Sequence, residues 1–224
     1  MSVIDAIKGG LIVSCQAEEG NPFFLPDLMG RFARAAETGG AVGIRAKLPD
    51  IAAIKQWCSL PILGIDKVWI EGFDVFITPR FEDAQRIAAA GAAIIALDCT
   101  PRPRPDGLTM EETIRRIKQE LKAPVMADIS TLAEAVAAEK AGADIVATTL
   151  SGYTPYAPRG EGPDWGLLEG IARTVKVPVI MEGAVATPAE ARAALQIGAW
   201  AVVVGTAITR PTEITKRFVK AMGP

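Results

Sequence analysis

Histidine is missing from this chain altogether, since none of its 224 residues is His. The absence excludes nucleophilic triads that rely on an imidazole base, and it removes the side chain that most often ligates transition metals. Any proton transfer must therefore use Lys, Asp, Glu, Tyr, Cys or water. Cysteine is also scarce, with three residues and no C-x-x-C pair, so we expect reduced thiols rather than a disulfide framework or a zinc site.

Long apolar runs and blocks of basic residues are absent as well. The longest apolar stretch, Ile87 to Leu97, is much shorter than the roughly 20 residues that span a bilayer. The N-terminus shows no basic segment followed by an apolar one. The formal net charge is −2, and Lys and Arg are scattered among acids. We expect a cytoplasmic protein that binds neither membranes nor nucleic acids.

What the sequence does contain is a regular alternation of two kinds of segment. Short runs rich in Ile and Val are typical of strands buried on both faces, and they occur at Leu11–Cys15, Val42–Arg45, Pro61–Ile65, Ile94–Cys99, Pro124–Ile129, Ile145–Leu150, Pro178–Glu182 and Ala201–Gly205. Segments with polar starts, typical of helices, lie between them, for example Asp50–Trp57, Thr109–Leu121, Thr131–Ala141, Pro163–Val175 and Thr187–Ile197.

The spacing of glycines predicts how many such units there are. A Gly-Ala pair precedes a predicted strand at Gly40, Gly91, Gly142 and Gly198, in steps of 51, 51 and 56 residues. Each step holds two βα units, so the four Gly-Ala positions mark four quarters of the chain and predict eight units in a closed (β/α)8 barrel over residues 1–224, as a single domain. An open doubly wound sheet is the alternative, but Ser14–Ala17 is not the Gly-rich turn that it usually carries. We predict that Val75–Thr78 lies in a long loop, because too few residues precede it for a crossover.

Polar residues end several of the predicted strands. In a parallel barrel these ends converge on one face, where active sites lie, and they are Gln16, Arg45, Lys67, Asp98, Asp128, Thr149, Glu182 and Gly205. Unpaired buried charges are costly, which favours a site over chance placement. Ion pairs that only stabilise the rim are the alternative for any one of them.

The last two strands end in glycine-rich turns. Glu182-Gly183 and Gly205-Thr206 would let backbone N–H groups approach an anion, and the following helix start would add a favourable dipole. We therefore predict a phosphate cradle there, although glycines that merely ease tight turns would look the same. Arg210 could bridge phosphate and substrate oxygens.

Lys67 is the candidate base. Burial and a cationic neighbour such as Arg45 would favour its neutral amine, which could remove a proton next to a carbonyl or form a Schiff base. A solvated loop lysine remains the alternative. Asp128 and Glu182 are placed to bind sugar hydroxyls or to relay protons.

The motifs together resemble one family of enzymes from end to end. The blocks are Gly10–Gln16, Ala41–Arg45, Gly64–Lys67, Ile77–Pro79, Asp98 with Arg102–Pro105, Ala127–Thr131, Thr148–Thr154 (TTLSGYT), Glu182-Gly183 and Val204–Pro211. In this order they resemble the bacterial N-acetylmannosamine-6-phosphate 2-epimerases, and the Thr148–Thr154 block is highly specific. The fold implied is a ribulose-phosphate-binding type of (β/α)8 barrel.

This resemblance implies an isomerase of sialic acid breakdown that interconverts N-acetylmannosamine 6-phosphate and N-acetylglucosamine 6-phosphate without metal or organic cofactor, often as a homodimer. It implies that Lys67 is the acid/base at C2 and that Glu182 assists proton transfer. Sugar would be held by Gln16, Arg45, Asp128 and Arg210, and phosphate by Gly183, Gly205 and the Thr206 amide.

Two positions depart from the family pattern. Asp66 stands where an apolar residue is common; strand alternation predicts that it points away from the barrel interior. Ala184 stands where many members carry arginine, which would alter affinity or ring preference but not the reaction. Two other functions stay open: a Schiff-base aldolase or lyase using Lys67, and a non-catalytic barrel that senses flavin or a sugar phosphate.

Overall fold

The computed structural model describes residues 2–157 and 160–223. Eight parallel strands close into a barrel in the order β1 to β8, each paired with its neighbours along the chain and β8 paired with β1. The fold is therefore the predicted (β/α)8 barrel. The predicted domain also includes residues 1, 158, 159 and 224, which lie outside the described part of the chain. The strands are β1 Leu11–Cys15, β2 Gly43–Lys47, β3 Ile62–Ile65, β4 Ile94–Asp98, β5 Val125–Asp128, β6 Ile145–Ala147, β7 Val179–Glu182 and β8 Ala201–Val204.

Helices surround the barrel, and several begin with a capping box. In each box a threonine accepts the backbone N–H of an acid three residues later, whose carboxylate caps the threonine N–H in return, as at Thr109/Glu112, Thr131/Glu134 and Thr187/Glu190. Gly91 and Gly142 end their helices with left-handed backbone. The helices are α1 Val3–Ala6, α2 Pro26–Thr38, α3 Leu48–Trp57, α4 Phe81–Ala90, α5 Met110–Arg116, α6 Leu132–Ala141, α7 Trp165–Thr174, α8 Pro188–Ile197, α9 Thr206–Thr209 and α10 Pro211–Met222.

Alternating side chains divide the core into two layers. One layer fills the barrel, with members such as Ile12, Leu63 and Met126, and the other lies between strands and helices, with members such as Val13 and Leu97. Because successive strand residues point to opposite faces, both layers come from the same apolar runs. The filled interior leaves only the strand ends to form a site.

Two sequence expectations are refined by the structure. The predicted helix Thr109–Leu121 is α5 followed by a π-helical segment, Ile117–Leu121. The predicted strand Ile145–Leu150 stops at Ala147, because residues Thr148–Leu150 form a 3₁₀ turn. This turn brings two threonine side chains to the mouth of the barrel.

The predicted loop around Val75–Thr78 folds back against the end of β3. Ile77 forms an isolated antiparallel bridge with Lys67, and Thr78 donates its N–H to the Asp66 carbonyl at 2.6 Å. Thr78 has a φ of 48°, a conformation that costs a residue with a branched side chain. Arg104 donates to the Thr78 carbonyl at 2.5 Å and to the Asp98 carbonyl at 2.8 Å. Arg104 therefore braces the loop that positions Lys67.

Candidate active site

A polar cavity of about 870 Å³ opens at the C-terminal ends of the strands. It is lined by the ends of β1, β2, β3, β7 and β8 and by the loop segments 148–153 and 160–166. Eight of the nine predicted site residues line it: Gln16, Arg45, Lys67, Glu182, Gly183, Gly205, Thr206 and Arg210. The ninth, Asp128, is fully buried and is not part of the cavity wall.

Arg45 is the centre of a buried ionic cluster. Its Nη2 donates to Asp128 Oδ2 at 2.6 Å, and its Nε lies 3.2 Å from Glu182 Oε1. The second contact is an ion pair without hydrogen-bond geometry, because Nε makes no hydrogen bond. Arg45 is only 1% exposed. One guanidinium thus faces two carboxyl groups in a site that excludes most water.

The buried cluster gives Glu182 an unusual protonation behaviour. Burial is the main cause that raises the pKa of Glu182 to about 7; the positive charge of Arg45 opposes this, and the nearby Asp128 adds to it. Burial also raises the pKa of Asp128, against the charge and hydrogen bond of Arg45. A carboxyl that titrates near neutrality can both give and accept a proton under physiological conditions.

Two consecutive threonines hold the end of β7 in place. Thr148 Oγ1 accepts the Glu182 N–H at 3.0 Å and donates to the Glu182 carbonyl at 2.8 Å. Thr149 Oγ1 lies 2.6 Å from Asp128 Oδ1 and 3.2 Å from Glu182 Oε2. The 3₁₀ turn after β6 therefore fixes both the backbone and the side chain of Glu182.

Lys67 lies across the cavity mouth in a second, more exposed cluster. Its side chain is 18% exposed, and its Nζ donates to Glu18 Oε1 at 3.0 Å. Burial is the main cause that lowers the pKa of Lys67; Glu18 opposes it, while Arg210 and Lys47 reinforce it. We expected Arg45 to be the cationic neighbour, and this was wrong, because Arg45 is held by the two carboxylates of the buried cluster instead.

Glu18 pairs with all three cations of the second cluster, although it was not predicted to be a site residue. Its carboxylate lies 3.0 Å from Lys67, 3.6 Å from Lys47 and 3.6 Å from Arg210. Partial burial opposes ionisation, but these three charges lower the pKa of Glu18 overall. The only signal in the sequence was its position two residues beyond Gln16, in a loop that carries a second, exposed acid, Glu19.

Gln16 and the glycines of the last two strands complete the cavity wall. Gln16 donates to Ser14 Oγ at 2.9 Å, while its Oε1 is buried without a partner among the described residues. Gly183 has a φ of 122°, which strongly favours glycine. A Cβ at Gly205 would lie 3.3 Å from the Ser14 Cβ. Glycine is therefore favoured at residue 183 by its backbone conformation and at residue 205 by the limited space beside Ser14.

Asp66 and Ala184, the two positions that depart from the family pattern, lie outside the ionic cluster that contains Lys67. Asp66 accepts from Arg86 of α4 at 2.8 Å, so it points away from the barrel interior as predicted. Ala184 is exposed at the cavity rim with a φ of 56°. Arg217 of α10 lines the same cavity and was not singled out in the sequence.

The cysteines lie away from the cavity. Cys15 and Cys99 belong to the layer between strands and helices, and neither lines the main cavity. Burial raises the pKa of Cys15 to about 12, so its thiol stays protonated. In residues 2–157 and 160–223, no group of three or more Cys, Asp or Glu side chains is arranged to hold a metal ion. Over the same residues, none of the helices has the length and apolar character needed to cross a membrane.

The fold and the cavity define a (β/α)8-barrel enzyme, with titratable side chains gathered at the C-terminal mouth of the barrel. The particular family is given by comparison with known proteins. The family model described as "Putative N-acetylmannosamine-6-phosphate epimerase" matches residues 29–224, and the chain belongs to this family.

Similar curated proteins cover nearly the whole chain. A "Putative N-acetylmannosamine-6-phosphate 2-epimerase" of Caldanaerobacter subterraneus subsp. tengcongensis is 53% identical over 98% of this chain and 93% of its own length. A protein with the same description from Clostridioides difficile is 47% identical over 98% of this chain and 99% of its own length. The similarity therefore includes every strand end of the site.

A solved structure is similar in fold as well. The N-acetylmannosamine-6-phosphate 2-epimerase from Clostridium perfringens has a TM-score of 0.96 with this chain at 45% identity, covering 99% of this chain and 96% of the other. Thiamine phosphate pyrophosphorylase from Pyrococcus furiosus has a TM-score of 0.59 at 18% identity, which indicates a shared fold only.

Proposed function

We propose that this protein interconverts N-acetylmannosamine 6-phosphate and N-acetylglucosamine 6-phosphate by removing and returning the proton at C2. Membership of the epimerase family supports the substrate and the reaction. The observation that carries the mechanism is the pairing, in one cavity, of a lysine with a lowered pKa and a carboxyl with a pKa of about 7. Both groups are tuned towards the range in which general acid–base catalysis is efficient.

The chemistry needs only proton transfer. In the open-chain sugar, the C1 carbonyl makes the C2 proton acidic, and the neutral amine of Lys67 removes it to give an enolate-type intermediate. Return of a proton to the opposite face would invert C2, and Glu182 in its protonated form would supply it. Lys67 gains one proton and Glu182 loses one, so substrate and product have the same composition, and exchange with water returns both groups to their starting protonation.

The sugar would be held by the residues around these two groups. Arg45 presents its guanidinium to the cavity, and the buried Gln16 Oε1 offers an acceptor without another partner among the described residues. Arg210 pairs with Glu18 at 3.6 Å. Asp128 does not line the cavity, so it would act indirectly, by orienting Arg45 and Thr149.

The phosphate would lie against the glycine-rich turns of β7 and β8. Gly183, Gly205 and Thr206 line the same end of the cavity, and Thr206 is the first residue of α9. Backbone N–H groups at such a turn favour an anion. Arg210 and Arg217 also line the cavity, and they add positive charge for a phosphate dianion.

Proton NMR of the purified protein with N-acetylmannosamine 6-phosphate in heavy water tests the function directly. We expect conversion to N-acetylglucosamine 6-phosphate with deuterium at C2. Conversion without deuterium would keep the epimerase function but contradict proton return by Glu182, because its carboxyl proton exchanges with heavy water. Failure to convert under conditions in which the folded protein binds the substrate would overturn the proposal.

Borohydride reduction separates proton transfer from Schiff-base chemistry at the same lysine. An epimerase that only moves protons leaves no covalent adduct to reduce, so the mass of the protein should not change. A substrate adduct on Lys67 would instead support the aldolase or lyase function.

We propose in addition that the protein forms a homodimer through α10. No residue of this helix is buried, and three of its apolar side chains are largely exposed: Phe218 is 68%, Val219 is 61% and Met222 is 83% exposed. An apolar stripe of this kind on one helix indicates a surface that is covered in solution. Light scattering should show a dimer for the wild type and a monomer for Phe218→Glu. A monomeric wild type would contradict the proposal.

A further inference from the structure

One hydroxyl group stands between the two carboxyl groups of the buried cluster. Thr149 Oγ1 is within hydrogen-bond distance of both, at 2.6 Å from Asp128 Oδ1 and 3.2 Å from Glu182 Oε2. A threonine hydroxyl carries a single hydrogen and two lone pairs. It can donate to only one of the two oxygens. Its contact with the other is favourable only if that carboxyl carries a proton and donates it.

The distances and partners assign the direction of the two hydrogen bonds. Asp128 has the shorter contact with Thr149, and its other oxygen accepts Arg45 Nη2 at 2.6 Å. Two short donors favour the ionised form of a carboxyl group. Among the residues that the structure describes, Glu182 has no comparable side-chain donor, because Arg45 Nε at 3.2 Å lacks hydrogen-bond geometry. Glu182 is therefore the carboxyl that holds the proton.

The surrounding charges are consistent with this assignment. Arg45 from β2 and Asp128 from β5 face Glu182 directly, and Lys67 after β3 contributes a weaker charge from across the cavity. One guanidinium cannot neutralise two carboxylates, so a second negative charge in the cluster would be uncompensated. A proton on Glu182 removes that charge.

We infer that Thr149 is a positioning residue that keeps a proton on Glu182, through a relay in which Glu182 donates to Thr149 Oγ1 and Thr149 donates to Asp128. The relay orients the protonated oxygen of Glu182 as well as stabilising it. Its effect on turnover rests on the proposed epimerase function, whereas the position of the proton does not.

Infrared titration of the ligand-free protein tests the relay. The carbonyl band of a protonated carboxyl group, identified by its loss in Glu182→Gln, reports the fraction of Glu182 that is protonated. In Thr149→Val the midpoint should move to lower pH by about half to one pH unit, because a neutral hydrogen bond is worth about 1 kcal/mol. Thr149→Ser keeps the hydroxyl and should restore the midpoint towards that of wild type.

The opposite shift would overturn the inference. If Thr149 donates to ionised Glu182 instead, its removal must raise the midpoint, and an unchanged midpoint would mean that Thr149 does not act on this proton. Thr149→Ala removes the same hydroxyl without a branched side chain to pack, so it gives the same reading if the valine variant does not fold.

Kinetics separate the relay from the proposed function. If the protein is an epimerase, Thr149→Val should lower kcat more than it changes KM, with recovery in Thr149→Ser. A wild type that does not convert the phosphosugar, together with the expected infrared shift, would remove the function and keep the relay. Conversion by wild type without the infrared shift would remove the relay alone.

Discussion

The barrel mouth carries two ionic clusters that differ in burial and in the kind of backbone that holds them. The Arg45–Asp128–Glu182 cluster is built on strand ends, and its side chains are between 0% and 14% exposed. In the Lys67–Glu18–Lys47–Arg210 cluster, Lys47 ends β2 but the other three residues lie in loops, and Glu18 at its centre is 41% exposed. The first cluster is therefore largely dry, and the second is more open to solvent.

This difference indicates how the two proposed catalytic groups are tuned. Charges in the buried cluster interact strongly, so small changes there shift protonation and stability together. Charges in the loop cluster are screened, so burial of Lys67 itself outweighs its ion pair with Glu18 in setting the direction of its pKa. Four substitutions, taken from the largest expected effect to the smallest, test this contrast.

Lys67→Ala should have the largest effect, on turnover alone. Loss of a general base typically costs about 10²- to 10⁴-fold in rate, while the proposed phosphate cradle and Arg45 would remain to bind substrate. Progress curves by NMR measure kcat, and calorimetry measures phosphosugar affinity. Retained turnover would contradict the role of Lys67, and lost affinity with unchanged kcat would make it a binding residue.

Arg45→Met should cost about 3–5 kcal/mol of the free energy of unfolding at pH 8, because it leaves buried carboxylates without their partner. The loss should be smaller at pH 5, where these carboxyls can protonate. Arg173→Met is the matched control: its pair with Glu169 is 76% and 51% exposed and should contribute less than about 1 kcal/mol. Equal losses in the two variants would remove the distinction between buried and exposed clusters.

Glu182→Gln should change how stability depends on pH. The pKa of Glu182 is about 7 in the folded chain against an ordinary value of 4.5, so the folded state binds this proton more tightly. Stability should therefore fall as pH rises from about 4.5 to about 7, by on the order of 3 kcal/mol. Urea unfolding across this range measures the fall, which the glutamine variant should largely lack. The same fall in both proteins would place the titration elsewhere.

Glu18→Gln should have the smallest effect. Removing its charge lowers the pKa of Lys67 further, so the rising limb of the kcat/KM profile should move to lower pH, by less than about one unit because the pair is partly exposed. Glu19→Gln makes the same change of charge at the exposed neighbouring residue and should leave the profile in place. Identical shifts in both variants would indicate a general field effect rather than the Glu18–Lys67 contact.

Much of the fold and many of the site positions could be predicted from the order of residues. Eight Ile/Val-rich runs and the glycine spacing predicted the barrel, because strand and helix periodicity are local properties. Parallel strands in a closed barrel bring their C-terminal ends to one face. Gln16, Arg45, Lys67, Glu182 and Gly205 could therefore be assigned to one mouth before any contact was known.

Only the tertiary structure decided which of these groups face each other. The sequence suggested Arg45 as the neighbour of Lys67, whereas the folded chain pairs Arg45 with Asp128 and Glu182. The sequence did not indicate that Glu18 would pair with Lys67 or that Thr149 would lie between two carboxyl groups. Ion pairs and hydrogen bonds between residues far apart in the chain depend on ångström-scale positions set by the packing of the whole barrel. Residue types and strand ends were determined locally, and protonation was determined by the folded environment.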